Sequence, residues 1–212
     1  MAEDAVSELR EMIVFGEIPP GAPLRLESLA RSLDMSVSPA REAVRQLENL
    51  GLAEHVPYKG ARVTNIDAAE MRDVYEARFA LETAAVRRVA MTFDETADAL
   101  VSSALAQLEQ AYVGGNPRLI VRGNTDFHAA IAAGTRSEWL ERLIRPTLDA
   151  SQRFAALLLQ RREQTSIEIE RLGHQEITAA CRAGDPDKAE DALRRHLSVF
   201  EEQFARALDS GT

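Results

Sequence analysis

Three histidines and an asparagine are the residues of this chain whose types and spacing could hold a metal. His174 lies ten residues before Gly184, and His196 lies ten residues after Pro186. At a rise of about 1.5 Å per residue, each imidazole sits about 15 Å from the same turn, so two antiparallel helices would hold them at matching height. Asn124 and His128 are four apart and share a helix face, whereas Asp126 lies about 160° round from Asn124 and points elsewhere. Three imidazoles and one amide oxygen from three helices make a mixed nitrogen and oxygen site suited to a divalent ion such as Zn, Ni or Mn. Scattered helical histidines are also ordinary surface or hydrogen-bonded residues, and the matched spacing about residues 184–186 is what sets these apart.

A second set of residues could meet DNA. Ser38 is placed to cap a helix whose first residue is Pro39, with Ala40, Ala43, Val44, Leu47 and Leu50 as its apolar stripe and Gly51 as its stop. Arg41 and Arg45 lie within about 40° of each other and more than 100° from that stripe, so they face outward together. Ser36 and Ser38 stand at the helix start, where hydroxyls and free backbone N–H groups can meet phosphate. Lys59 and Gly60 fall between two short strands expected at 53–56 and 61–64, where Gly permits close backbone approach and Lys supplies charge.

The elements that must position these groups fall into two textures. Up to about residue 66 the segments are short, punctuated by Gly16, Pro19-Pro20-Gly21 and Lys59-Gly60. Val6, Leu9, Ile13 and Val14 keep helical spacing, and Leu26, Leu29, Ala30 and Leu33 form a second short helix. Three helices and then a hairpin is the order of a winged helix-turn-helix. From Ala68 the chain reads as long helices at about 68–90, 94–113, 117–133, 137–160, 166–183 and 186–208. The breaks fall at Gly114-Gly115, Gly134-Thr135, Arg162–Thr165 and Gly184-Asp185-Pro186. The expected architecture is mainly α: a winged helix-turn-helix at 1–66 and an all-α helical bundle at 67–212.

Those spaced residues resemble a known family. Gly16 to Leu24, Leu29-Ala30, the run Ser36 to Leu47, Gly51-Leu52 and Lys59 to Val63 are similar to the DNA-binding domain of GntR-family bacterial regulators. The resemblance puts DNA contacts on Ser36, Ser38, Arg41, Arg45, Lys59 and Gly60, with Val37 standing where many members carry Arg. Tyr75 to Glu82, Asn124 to His128, His174 to Ile177, Gly184-Asp185 and His196 are similar to the helical effector domain of the FadR subfamily. That second resemblance implies a metal on Asn124, His128, His174 and His196, a small carboxylate bound against it, and Arg78 as the carboxylate anchor. An i,i+4 ion pair between Arg78 and Glu82 is the alternative use of that guanidinium. Asn124 stands where Asp is commoner and offers a neutral oxygen.

Composition bounds the reading. The chain has 212 residues, 45% hydrophobic and 28% charged, with the single Cys181, so neither a disulfide framework nor a cysteine zinc cluster is available. No basic leader with an apolar core and no run of about 18 apolar residues is present, and a cytoplasmic protein without a membrane partner is expected. The net charge of −9 argues against nucleic acid on composition alone. It divides, however, into 7 basic and 10 acidic side chains at 1–66 and 18 and 24 at 67–212. DNA binding must therefore come from a few placed groups, with a modest salt slope. The expected function is a dimeric transcription regulator, a repressor by family habit, on a pseudo-palindromic double-stranded operator, tuned by a small organic acid. A metal-dependent helical enzyme acting on a small carboxylate is the alternative, because three histidines with an open position also build hydrolytic zinc sites. No nucleophile motif or phosphate loop accompanies them.

Overall fold

The computed structural model describes residues 2–160 and 164–209. The chain divides into two compact units, Met1–Asp67 and Ala68–Thr212. The first holds α1 (Ala2–Val14), α2 (Leu26–Ser32), α3 (Val37–Asn49), β1 (Ala53–Val56) and β2 (Gly60–Val63). The strands pair antiparallel with Ala53 opposite Val63 and Val56 opposite Gly60. Leu9, Ile13, Ala40, Ala43, Val44, Leu47, Leu52 and Val63 form one buried core, so the apolar stripe of α3 is turned inward and its basic face outward. The Leu24 amide donates to the Ala61 carbonyl at 2.8 Å, and Pro23 bridges Arg62, which ties the hairpin to the segment before α2.

One helix start differs from expectation. The third helix begins at Val37 with Ser36 at the N-cap, two residues before the predicted cap at Ser38. Pro39 therefore occupies the third helical position, where its missing N–H is still one of the unpaired donors of the first turn and costs nothing. The Ser36 hydroxyl makes no capping bond, which leaves it available.

The second unit is a helical bundle of α4 (Ala68–Met91), α5 (Glu95–Gly114), α6 (Pro117–Gly134), α7 (Glu138–Gln160), α8 (Gln164–Arg182) and α9 (Pro186–Asp209). Caps set its boundaries. Asp94 accepts from the Ala97 amide at 3.0 Å, Asn116 from Arg118 at 3.0 Å ahead of Pro117, and Asp185 from Lys188 at 3.0 Å ahead of Pro186. Gly184 takes φ +66 to turn α8 into α9. The predicted break at Arg162–Thr165 lies partly outside the described residues, and α8 is already helical at Gln164. The α4 helix packs against α6, α7, α8 and α9, and α5 against α6 and α8. Val86, Leu108, Phe127, Ile144, Phe154, Ile177, Leu193 and Phe204 fill the interior. Each such side chain contributes about 1.5–3 kcal/mol relative to exposure. No helix among the described residues is long and apolar enough to cross a membrane.

Candidate functional site

The bundle interior gathers the predicted metal ligands. His128 on α6, His174 on α8 and His196 on α9 are all buried, and their candidate ligand atoms lie within 4.8 Å of one another. The α8–α9 turn delivers the matched heights expected from the spacing: the His174 and His196 rings are 4.3 Å apart. His128 stands 5.7 Å from His174 and 5.4 Å from His196. The Asn124 Oδ1 accepts from His174 Nε2 at 2.8 Å, one helical turn before His128 on the same face of α6, while Asp126 is exposed. Burial, with His196 and His128 as neighbours, holds the His174 imidazole well below its ordinary 6.5, so it is neutral, the form that ligates metal.

These residues fit a metal on their own chemistry. The Nε2 of His128 is buried without a hydrogen-bond partner, while its Nδ1 meets the Glu82 carboxylate. Buried polar atoms are almost always satisfied, so an unpartnered imidazole nitrogen between two further buried histidines fits a ligand there. Gly173 makes room for the cluster, because a Cβ built there would stand 2.7 Å from His196 Nδ1. Gly173→Ala is accordingly expected to displace His196 and lower affinity for an added divalent metal about fivefold or more, since a misfit of about 1 kcal/mol is a factor near five. Calorimetric metal titration checks this.

A buried polar relay joins the cluster to α4. Glu82 Oε2 lies 2.6 Å from His128 Nδ1, in ion-pair range. Its Oε1 accepts from Arg78 Nε at 2.6 Å. Burial pushes the Glu82 carboxyl up, but the adjacent Arg78 and His128 overcome that and bring it down to about 2. Arg78 is 1% exposed, with its guanidinium 4.9 Å over the Tyr75 ring. Burial alone would lower its pKa, and the Glu82 charge more than restores it. The i,i+4 pair is thus present, and it uses only Nε. Nη1 reaches Ser151 Oγ at a long 3.4 Å, and Nη2 is buried with no hydrogen-bond partner. Gln152 on α7 donates to Thr125 at 3.1 Å, pinning α6 beside Asn124.

Glu82, Ser151 and Gly173 carry roles that sequence reasoning missed. A glycine immediately before a histidine inside a helix was a readable signal for Gly173. Glu82 was read only as a partner for Arg78, because nothing in one helix's periodicity says that His128 of another helix meets it. Cys181 is buried and its thiol is pushed up to about 12 by burial, which makes it packing. His55 has a neighbour that the sequence did not reveal, with Glu48 Oε1 4.0 Å from its Nδ1.

In the N-terminal unit Ser36, Ser38, Arg41, Arg45, Lys59 and Gly60 are all exposed. Arg41, Arg45, Lys59 and Gly60 share the lining of one groove of about 590 Å³ between α3 and the hairpin, together with Arg25 and Arg62. Arg45 donates to Glu42 at 3.0 and 3.2 Å across the solvent-facing side of α3, and Glu42 is held below the ordinary carboxylate range by that bond. Arg62 is committed to the Gly21 carbonyl at 2.8 Å and braces the hairpin.

Comparison with known proteins places both units. Residues 1–63 match the bacterial regulatory proteins of the gntR family, and residues 73–199 match the FCD domain. The chain is 30% identical to the probable D-xylose utilization operon transcriptional repressor of Paenarthrobacter nicotinovorans over 198 residues, 92% of this chain and 86% of the relative. It is also 30% identical to the HTH-type transcriptional repressor GlaR of Escherichia coli strain K12 over 203 residues, 92% of this chain and 91% of that one. Its fold is shared with E. coli McbR/YncC, at a TM-score of 0.81 and 20% identity, covering 100% of this chain and 98% of that one. These families consist of regulators, which sets aside the enzyme reading of the three histidines. A winged helix-turn-helix head and an FCD bundle in one chain make this protein a member of the GntR family of bacterial regulatory proteins.

Proposed function

We propose that the protein is a cytoplasmic, homodimeric transcriptional repressor whose affinity for a pseudo-palindromic operator is set by a small organic acid bound at a metal in its helical unit. The convergence of three buried histidines beside an arginine with an unused Nη2 is the observation that carries this reading. His128, His174 and His196 would hold the ion, with Asn124 as a fourth, neutral ligand. A divalent ion supplies, when bound, a Lewis-acidic position for an oxygen anion. The charges around it favour such an anion: Glu82 is already engaged by Arg78 and His128, and the buried Glu170 near His174 offsets only part of a divalent charge. Arg78 Nη1 and Nη2 offer the parallel donors that a carboxylate accepts from a guanidinium. The relatives are named as repressors, which supports the sign of regulation.

The head reads DNA with Arg41 and Arg45 leading into the major groove, Ser36 and Ser38 on phosphate at the start of α3, and Lys59 with Gly60 on the backbone beside the hairpin. Two heads from a dimer multiply a contact set that is small in each. The acid can regulate only if it binds the DNA-competent and incompetent states unequally.

Asn124→Asp is a direct check on the ligand set. An anionic oxygen in place of a neutral one raises affinity for Zn or Mn by about tenfold or more, roughly 1.4 kcal/mol, measured by titration of the stripped chain. The functional test is a mobility shift with the duplex that the wild-type chain selects from a randomised pool, repeated across a panel of small carboxylates in the presence of Zn, Ni or Mn. A specific shift altered by one class of acid supports the proposal. A shift that no carboxylate alters removes the acid from it.

A further inference from the structure

Of the three histidines, His196 is the one that reaches the surface. His174 and His128 are 0% and 1% exposed, against 7% for His196. Behind His128 stand the buried Glu82 and Arg78, and the buried Phe127 ring lies 4.8 Å from that of His174. His196 instead lines a surface groove of about 240 Å³ between α8 and α9. Leu172, Gly173 and Glu176 of α8 and Arg195, His196 and Val199 of α9 border it at the same i, i+1, i+4 spacing, as two helix faces meeting along a seam do. The groove reaches His196 because Gly173 has no side chain. A Cβ there would stand 2.7 Å from the ring Nδ1 and 3.3 Å from its Cγ, so any larger residue would seal the imidazole off. Glycine weakens a helix interior, and its place in α8, one residue before a buried histidine, marks a use for the space. A single water needs about 10–15 Å³ of such space, so an ion with its shell of waters fits. Glu170 and Glu176 line the groove with carboxylates, and Arg195 donates to Glu176 at 3.2 Å across it.

We propose that this groove is the port through which a divalent ion reaches and leaves the three histidines, with His196 meeting it first and Leu172 standing at the rim. The inference rests on the metal-binding reading of the histidines and adds the route by which they are filled and emptied. The groove then sets how fast the ion exchanges, while His128, His174 and His196 set how tightly it is held. An obstacle at the rim raises one barrier that both directions cross. It slows uptake and release by the same factor and leaves the equilibrium where it was.

The test uses the chelator-stripped full chain and Zn²⁺ alone. Uptake is followed by stopped flow with a fluorescent zinc indicator, and release is followed in excess EDTA. Leu172 is 47% exposed, so its variants keep the fold. Leu172→Trp is expected to narrow the rim and slow uptake and release alike, by about tenfold, and Leu172→Ala to speed both, with the dissociation constant of the wild type in each. Leu143→Trp is the control, because Leu143 is equally exposed on α7 and does not line the groove. Its rates should be those of the wild type. Wild-type rates in both Leu172 variants overturn the proposal and leave the metal site standing, as does a Leu143→Trp that slows exchange as much as Leu172→Trp. A Leu172→Trp whose dissociation constant moves while its uptake rate does not also overturns it, since Leu172 would then act on the ligands and not on the path. Absence of Zn²⁺ binding by the wild type overturns the metal reading, and this inference with it.

Discussion

Arg41→Ala is expected to abolish specific operator binding while the helical unit keeps its stability and its proposed metal site. Arg41 is exposed in the first half of α3, on the face opposite the buried stripe of Ala40, Ala43, Val44 and Leu47, so its truncation removes no core contact. A bidentate guanidinium on a guanine edge is worth about 1–3 kcal/mol of discrimination. Two heads in the proposed dimer double that to about 2–6 kcal/mol, a loss of roughly thirtyfold to twenty-thousandfold. The head carries more acidic than basic side chains, so there is little sequence-independent attraction to compensate. Fluorescence anisotropy on the selected duplex measures the loss, with a scrambled duplex as the reference. Specific binding by Arg41→Ala within a few-fold of the wild type would mean that α3 is not the recognition helix. Lys59→Ala separates the two kinds of contact, because it should weaken both duplexes alike.

His174→Ala does the converse. It removes one of the three proposed ligands and also leaves the Asn124 amide without its 2.8 Å partner. Loss of outer-shell partners alone commonly costs about 10–100-fold in metal affinity, so loss of a ligand should exceed about 100-fold. His174 is fully buried, and truncation to alanine opens a cavity, so His174→Gln is the companion variant that keeps volume while losing the imidazole. Both should bind operator as the wild type does and lose the response to carboxylate. Wild-type metal affinity in His174→Gln would take His174 out of the ligand set.

How far the sequence revealed this structure depends on whether a signal was local. Gly115, Gly184, Asp185 and Pro186 announce helix ends through backbone groups within a few residues of themselves, and each acts there. The heights of His174 and His196 followed from counting along two helices that share one turn, and their rings do meet. The start of α3 was misplaced by two residues because Ser36 and Ser38 are both good caps, and the choice is made by how Leu33, Met35 and Val37 pack on the head's core. Pro146 sits inside α7 without ending it, which tertiary packing decides rather than the residue. Least legible was the buried relay. Arg78 and Glu82 at i,i+4 look like any solvent-facing pair, and only the crossing of α4 with α6 and α7 buries them and sets Glu82 beside His128 and Arg78 beside Ser151.

The relay also gives the account its physical link between ligand and fold. The same Glu82 that fixes Arg78 also faces a proposed metal ligand, so the proposed anion site at Arg78 and the proposed ion site at His128 share one buried carboxylate of α4. Coupling of this kind is reciprocal, and metal should raise carboxylate affinity by the factor by which carboxylate raises metal affinity.

The most direct test is the operator dissociation constant of the full wild-type chain, measured by anisotropy with the metal-loaded and the chelator-stripped protein, each with and without the carboxylate that the panel selects. Adding the acid should change operator affinity by about fivefold or more, the usual size of such a coupling, in the loaded protein only. An equal response in the stripped protein, or none in the loaded one, would contradict the claim that the three-histidine site is where the signal is read.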